Sequence, residues 1–247
     1  VAEELDKPYV ISISIGSNSG PHNGLSAFNR YVDAVCDDGG HIVISTGNDG
    51  NYKMHIAHTF DADGDQLASI FNTTNLSQVG MTAWTGEGNA LAGRLELVDI
   101  STGDVLYASD MVGDGDLVLA AGDSGTYADY YDNEFAQFFT SATLAEVYAG
   151  QDASTGTQLV EVILLGALQD DYKTNCRLAF RLEGDTGTTV NVWNMTASHQ
   201  LLSSDLDAYT DGDHLLPVSD MACASPADTV GASTGAKSYT STPGPAN

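Results

Sequence analysis

The chain has 247 residues and carries 34 Asp plus Glu against 8 Lys plus Arg, a formal net charge of −26. Such a surface repels nucleic-acid phosphates and anionic lipid, so neither is expected as a partner. The apolar fraction of 42% is that of a globular chain with a real core, and no stretch approaches the ~18 consecutive apolar residues of a membrane helix.

Val1 to Lys7 opens with charges and has no apolar signal region. Tyr9 to Ile15 is rich in β-branched residues and predicts a strand. A turn-rich stretch, Gly16 to Gly24, follows. Leu25, Phe28, Val32 and Val35 then fall at helical spacing, and Asp37 to Gly40 ends that helix. His41 to Ser45 is a second short strand, running into the loop Thr46 to Gly50. Strand, helix and strand with short links make a βαβ unit with parallel strands.

From Asn51 to Pro217 the alternation stops. The β-like runs are Gln78 to Trp84, Gly93 to Val98, Leu117 to Ala121, Leu144 to Ala149, Gln158 to Leu165, Arg177 to Leu182 and Thr188 to Trp193. Gly, Asp, Asn and Ser clusters separate them, which predicts an antiparallel sandwich or barrel. A short apolar element, Thr229 to Ala232, precedes a loose Pro-containing tail. The expected fold class is therefore mixed: an α/β part over residues 1–50, an inserted β-sandwich over 51–217, and a return to the α/β part over 218–247.

Cys36, Cys176 and Cys223 are an odd number with no CxxC spacing, so neither a disulfide framework nor a zinc site is expected. The loop Gly47-Asn48-Asp49-Gly50 puts an amide side chain at the C-terminal end of a parallel strand, where open α/β sheets hold their sites. Such an amide can donate to a developing oxyanion. On those four residues alone, an ordinary tight turn is the favoured reading.

The wider context favours the functional reading. Ile11 to Ser17, Gly20-Pro21-His22-Asn23-Gly24, the amphipathic helix and Gly40 to Gly50 together resemble the subtilases, the subtilisin-like serine proteases of the S8 family. There an "N-x-S-x-G" strand leads through a helix to an "A-A-G-N-x-G" segment. Cys223 to Ala232 and Ser238 to Pro245 are similar to later subtilase segments that precede the nucleophile. The resemblance implies that Asn48 is the oxyanion-hole donor and that the backbone of Ser14, Ile15 and Gly16 binds peptide by strand addition. It also implies a secreted or cell-surface location. Some bacterial subtilases carry a jelly-roll sandwich after the oxyanion Asn; Met81 to Trp84, Leu95 to Val98 and Thr189 to Trp193 resemble its strands.

The catalytic motifs of that family, D-[ST]-G and H-G-T-H upstream and G-T-S-x-A downstream, do not occur here in their places. Gly122-Asp123-Ser124-Gly125 imitates both an Asp motif and a nucleophile motif, but it lies inside the β-run region and reads as a turn. The resemblance thus implies an internal piece of a serine endopeptidase, inactive alone because the triad is not supplied. The competing expectation is a non-catalytic binding or scaffold protein, with Trp84, Trp193, Tyr130 and Tyr131 as platforms for carbohydrate or protein partners. Exposed sheet edges would favour self-association.

Among the histidines, His55 and His58 would share a face on a helix, yet no H-E-x-x-H frame surrounds them, so no metal site is assigned. His22 could be structural or line the substrate cleft, and His41 begins a strand. Asp61 to Asp65 and Gly113 to Asp116 are the stretches where calcium would bind if it is a cofactor; both also read as solvated turns, and the first lacks EF-hand spacing.

Overall fold

The computed structural model describes residues 7–73, 76–153, 155–196 and 200–231. The fold is mostly β, with one three-stranded parallel sheet and two antiparallel sheets of six and five strands. The parallel sheet joins the two ends of the described chain. It holds β1 (Val10–Ile13), β2 (His41–Ser45) and, from the far end, β14 (Asp228–Val230), with β2 in the middle. Val10 pairs with His41, and Asp228 pairs with Val43.

Helix α1 (Ala27–Asp37) links β1 to β2, and the Ser26 hydroxyl caps it by accepting from the Asn29 amide. Its apolar stripe, Phe28, Val32 and Val35, packs on Ile42 and Ile44 together with Ala222 and Ala224, a small separate core. The β1 strand is shorter than the run Tyr9 to Ile15. Among the described residues β2 is its one partner, and that ladder ends at Ile13 opposite Ile44. Ser238 to Pro245 and Ala232 lie outside the described residues.

Between β2 and β14 run the antiparallel strands: β3 (His55–Thr59), β4 (Gln66–Phe71), β5 (Val79–Glu87), β6 (Leu91–Asp99), β7 (Val105–Ala108), β8 (Gly115–Ala120), β9 (Leu144–Gln151), β10 (Thr157–Leu165), β11 (Cys176–Gly184), β12 (Thr189–Asn194) and β13 (Leu201–Leu202). The larger sheet has the order β3-β12-β5-β10-β9-β8, and the smaller β13-β4-β11-β6-β7. The pairs β3–β12, β4–β11, β5–β10 and β6–β7 nest one inside the next, the pairing of a jelly roll, with β8 and β9 added at an edge.

Period-two burial sets the sandwich. Val160, Val162 and Leu164 of β10 are buried in the core, whereas Leu159, Glu161 and Ile163 between them face outward. Phe60, Phe71, Met81, Leu95, Phe135 and Phe180 fill the space between the sheets. On the outer face of the smaller sheet, Tyr209 and the partly buried Leu206 cover Ala68, Ile70, Val98 and Ala179.

Beside them Glu96, fully buried, accepts from Arg94, Arg181 and the Tyr209 hydroxyl. Burial alone would raise its pKa, but the two guanidinium groups outweigh that and hold it below the ordinary value. Burial beside Glu96 pushes Tyr209 up to about 12.

Candidate functional site

The loop after β2 forms the floor of a cleft of about 440 Å³ bounded by Thr46 to Asn51, Pro217 and Val218. A recess of about 190 Å³ adjoins it, bounded by Gly16 to Asn18, Gly47 to Asp49, Met195 and Ser219. Asn48 borders both. Its side chain is exposed, and no hydrogen bond among the described residues occupies its amide.

Gly47 at φ +89° allows the tight reversal that presents Asn48 at the strand end, a conformation costly for any residue with a Cβ. The next residue points inward instead. Asp49 is buried, and its Oδ2 accepts from the Asn18 amide at 3.1 Å.

The cleft wall is a short return segment. The Ser219 amide donates to the Thr46 carbonyl at 2.9 Å, and its hydroxyl both accepts from the Ser17 amide and donates to the Ser17 carbonyl. Asp220 takes the His22 amide on its carboxylate at 2.9 Å, while the Asn29 side chain donates to its carbonyl. Gly20 is tied to this segment by space: a Cβ there would stand 2.0 Å from the Asp220 carboxyl carbon.

His22 resolves into a structural residue. Its ring stacks on Trp193 with centroids 4.1 Å apart and planes 7° apart, and Nδ1 lies 2.7 Å from the Val218 carbonyl. A carbonyl only accepts, so Nδ1 carries the proton. Desolvation pulls the His22 pKa below its ordinary value, although the two carbonyls and Asp220 work the other way. His55, whose ring also contacts Trp193, bonds Asp213 through Nδ1 and Asn191 through Nε2.

Of the four residues the sequence singled out, the fold brings Asn48 and Gly16 to one recess. Ser14 and Ile15 are exposed beyond the end of β1 but do not line it. The other residues singled out in the sequence are placed as follows. His55 and His58 sit three apart on a strand rather than a helix, so they face opposite ways, and His58 pairs with Asp65 at 3.1 Å. Among the described residues no group of three or more His, Cys, Asp or Glu could hold a metal ion.

Asp65, in the first acidic stretch, is engaged by His58 and by the Asp61 amide. Ser124 is exposed ahead of a short 3-10 helix, Gly125–Tyr130, and no histidine hydrogen-bonds it among the described residues. Trp84 and Trp193 are 9% and 3% exposed, so neither is a platform; Tyr130 and Tyr131 are exposed. His41 pairs with Asp228 across the parallel sheet, and the three cysteines are unpaired. Asp49, Ser219 and Asp220 went unnoticed in the sequence because their partners lie up to about 200 positions away.

No protein-family model matches the sequence, and no curated protein does. Among solved structures, the fold is similar to the CspB protease of Clostridium perfringens, with a TM-score of 0.54 at 16% identity. The likeness covers 81% of this chain and 38% of that one, so the chain spans well under half of that protease's length. At that identity the shared feature is the fold. No helix among the described residues is long and apolar enough to cross a membrane.

Proposed function

We propose that this chain is the part of a secreted or cell-surface subtilisin-like serine endopeptidase that carries the oxyanion donor, with the jelly-roll sandwich inserted in its α/β part. The observation that carries the reading is Asn48: an unoccupied amide at the C-terminal end of the central parallel strand, sharing a recess with Gly16 from the end of the neighbouring strand. The subtilase-like motifs of the sequence and a protease fold at 38% of the neighbour's length support the same assignment.

In the whole enzyme a Ser–His–Asp triad supplied by other parts of the polypeptide would attack the peptide carbonyl. The Asn48 side-chain NH₂ would donate to the oxygen as its negative charge develops. Substrate backbone would add along the free edge of β1 and its continuation Ser14 to Gly16. Because the donor acts most on the charged intermediate, its loss should lower kcat and leave KM nearly unchanged.

The test begins with the reading frame on either side of the chain. D-[ST]-G and H-G-T-H upstream with G-T-S-x-A downstream are expected, and their replacement would refute the endopeptidase reading. In the whole protein, Asn48→Ala should then cut kcat by about 10²–10³. The same substitution in this chain should change its stability by less than about 0.5 kcal/mol, since the side chain is exposed. Full activity of the variant would remove Asn48 from the mechanism.

A further inference from the structure

The outer face of the six-stranded sheet carries a second groove around β9, four strand positions and thus roughly 20 Å from β3. Its volume is about 250 Å³, and its lining includes Val118, Tyr127, Tyr130, Glu146, Ile163 and Leu165. Tyr127 and Tyr130 are exposed, with ring centroids 6.5 Å apart. Glu146 lines the groove, and Glu161 lies on the same sheet face as its diagonal neighbour: Glu146 is opposite Ile163, and Glu161 is opposite Tyr148.

Two like charges so placed are unfavourable without a cation. None of the six strands of this sheet contains a Lys or Arg. The other sheet shows how this protein treats an outer-face glutamate that it compensates internally: Glu96 holds Arg94 and Arg181. The contrast extends to titration, since burial and the Glu146 charge raise Glu161 above its ordinary value whereas Glu96 is lowered.

We propose that this groove binds a cationic side chain, the lysine or arginine of a peptide partner, with Tyr127 and Tyr130 packing on its stem and charged head and Glu146 pairing with the charge. The chemistry fits on three counts. Tyrosine faces attract a desolvated cation, the apolar residues Val118, Ile163 and Leu165 suit the aliphatic stem, and the carboxylate pair supplies the charge no residue of the sheet neutralises. The proposal does not depend on Asn48, and its failure would leave the oxyanion reading standing.

The test uses the whole ¹⁵N-labelled chain titrated with acetyl-Gly-Lys-Gly amide, its norleucine counterpart and calcium chloride, followed by amide shifts. Saturable shifts from the lysine peptide should cluster at Tyr127, Tyr130, Glu146 and Ile163. Norleucine should bind about ten-fold more weakly, and Glu146→Gln should weaken the lysine peptide by a similar factor. Equal binding of norleucine would overturn the proposal. So would shifts scattered over the acidic surface, or stoichiometric displacement of the peptide by calcium, which would make the groove a metal site. The norleucine comparison is made on the unaltered chain, so the outcome stands even if a variant misfolds.

Discussion

Trp193→Ala is the perturbation that best separates a joint from a passive contact. Trp193 is 97% shielded, its indole N–H donates to the Leu216 carbonyl at 3.3 Å, and its ring contacts both His22 of the α/β part and His55 of the sandwich. Truncating a buried tryptophan costs about 3–5 kcal/mol. Within that, the hydrogen bond contributes about 1 kcal/mol and the stack on His22 about 0.5–1.5 kcal/mol. Trp193→Phe keeps a ring and loses the hydrogen bond, so its cost should be the smaller by about 2 kcal/mol or more.

The assay is urea unfolding. Because the sequence has two tryptophans, the alanine variant leaves Trp84 as its lone tryptophan, whose selectively excited emission reports on the sandwich. Hydrogen exchange on β2 amides reports on the parallel sheet. The expected result is a split: β2 protection falls by more than the sandwich stability does. A double-mutant cycle with His22→Ala should return a coupling of about 0.5–1.5 kcal/mol. A loss below about 1.5 kcal/mol for Trp193→Ala, or equal losses in both parts, would refute the joint.

Two further perturbations follow from titrating groups. His22 is held below its ordinary value in the folded chain, so below that value the unfolded chain binds more protons. Its contribution to stability is present above the ordinary histidine value and is lost as pH falls through the lowered one. Urea midpoints between about pH 5 and 8 should fall on the acid side, and His22→Gln should flatten that slope; an unchanged slope would show that other groups carry it. Glu96 is lowered as well, so its contribution is present above the ordinary glutamate value and is lost as pH falls through the lowered one. Glu96→Gln leaves two guanidinium groups short of a counter-charge and should cost about 3 kcal/mol at neutral pH, the low end for a buried pair because Arg94 keeps access to water. A cost under about 1 kcal/mol would mean the arginines find water instead.

The strands legible in the sequence are those with sustained apolar or β-branched runs, whether one face is wet, as in β10, or both are dry over most of the strand, as in β5. The run Gln158 to Leu165 and β10 occupy nearly the same residues. The strand β4 did not stand out because Gln66, Ala68 and Ser69 interrupt its large apolar residues: Leu67 and Phe71 enter the core while Ala68 and Ile70 lie under Tyr209. The strand β3 was hidden by polarity. His55 is buried, but Asp213 and Asn191 satisfy both ring nitrogens, a compensation made by residues 136 and 158 positions away. Asn48 stood out only through the longer motif that surrounds it, since its four-residue loop by itself reads as a tight turn. The wall opposite it did not stand out, because Ser219 and Asp220 acquire meaning only once β1, β2 and the return segment meet.

That wall also bears on what the sandwich does for the cleft. Val218 to Asp220 is pinned to the loops after β1 and β2 by hydrogen bonds to Thr46, Ser17, His22 and Asn29. At about 1 kcal/mol each, these outweigh the single bond from Trp193 to Leu216. The segment therefore belongs mechanically to the α/β part, and the sandwich is tied to it just upstream. Strain entering from the sandwich through Trp193 and Leu216 meets Pro217, which lines the Asn48 cleft, before it meets the anchored segment Val218 to Asp220. The cleft mouth at Pro217 can thus shift while the loop that carries Asn48 keeps its place. In the endopeptidase proposed above, a ligand on the sandwich should accordingly alter how a peptide enters and leaves more than how an oxyanion is held, a change in KM with kcat preserved.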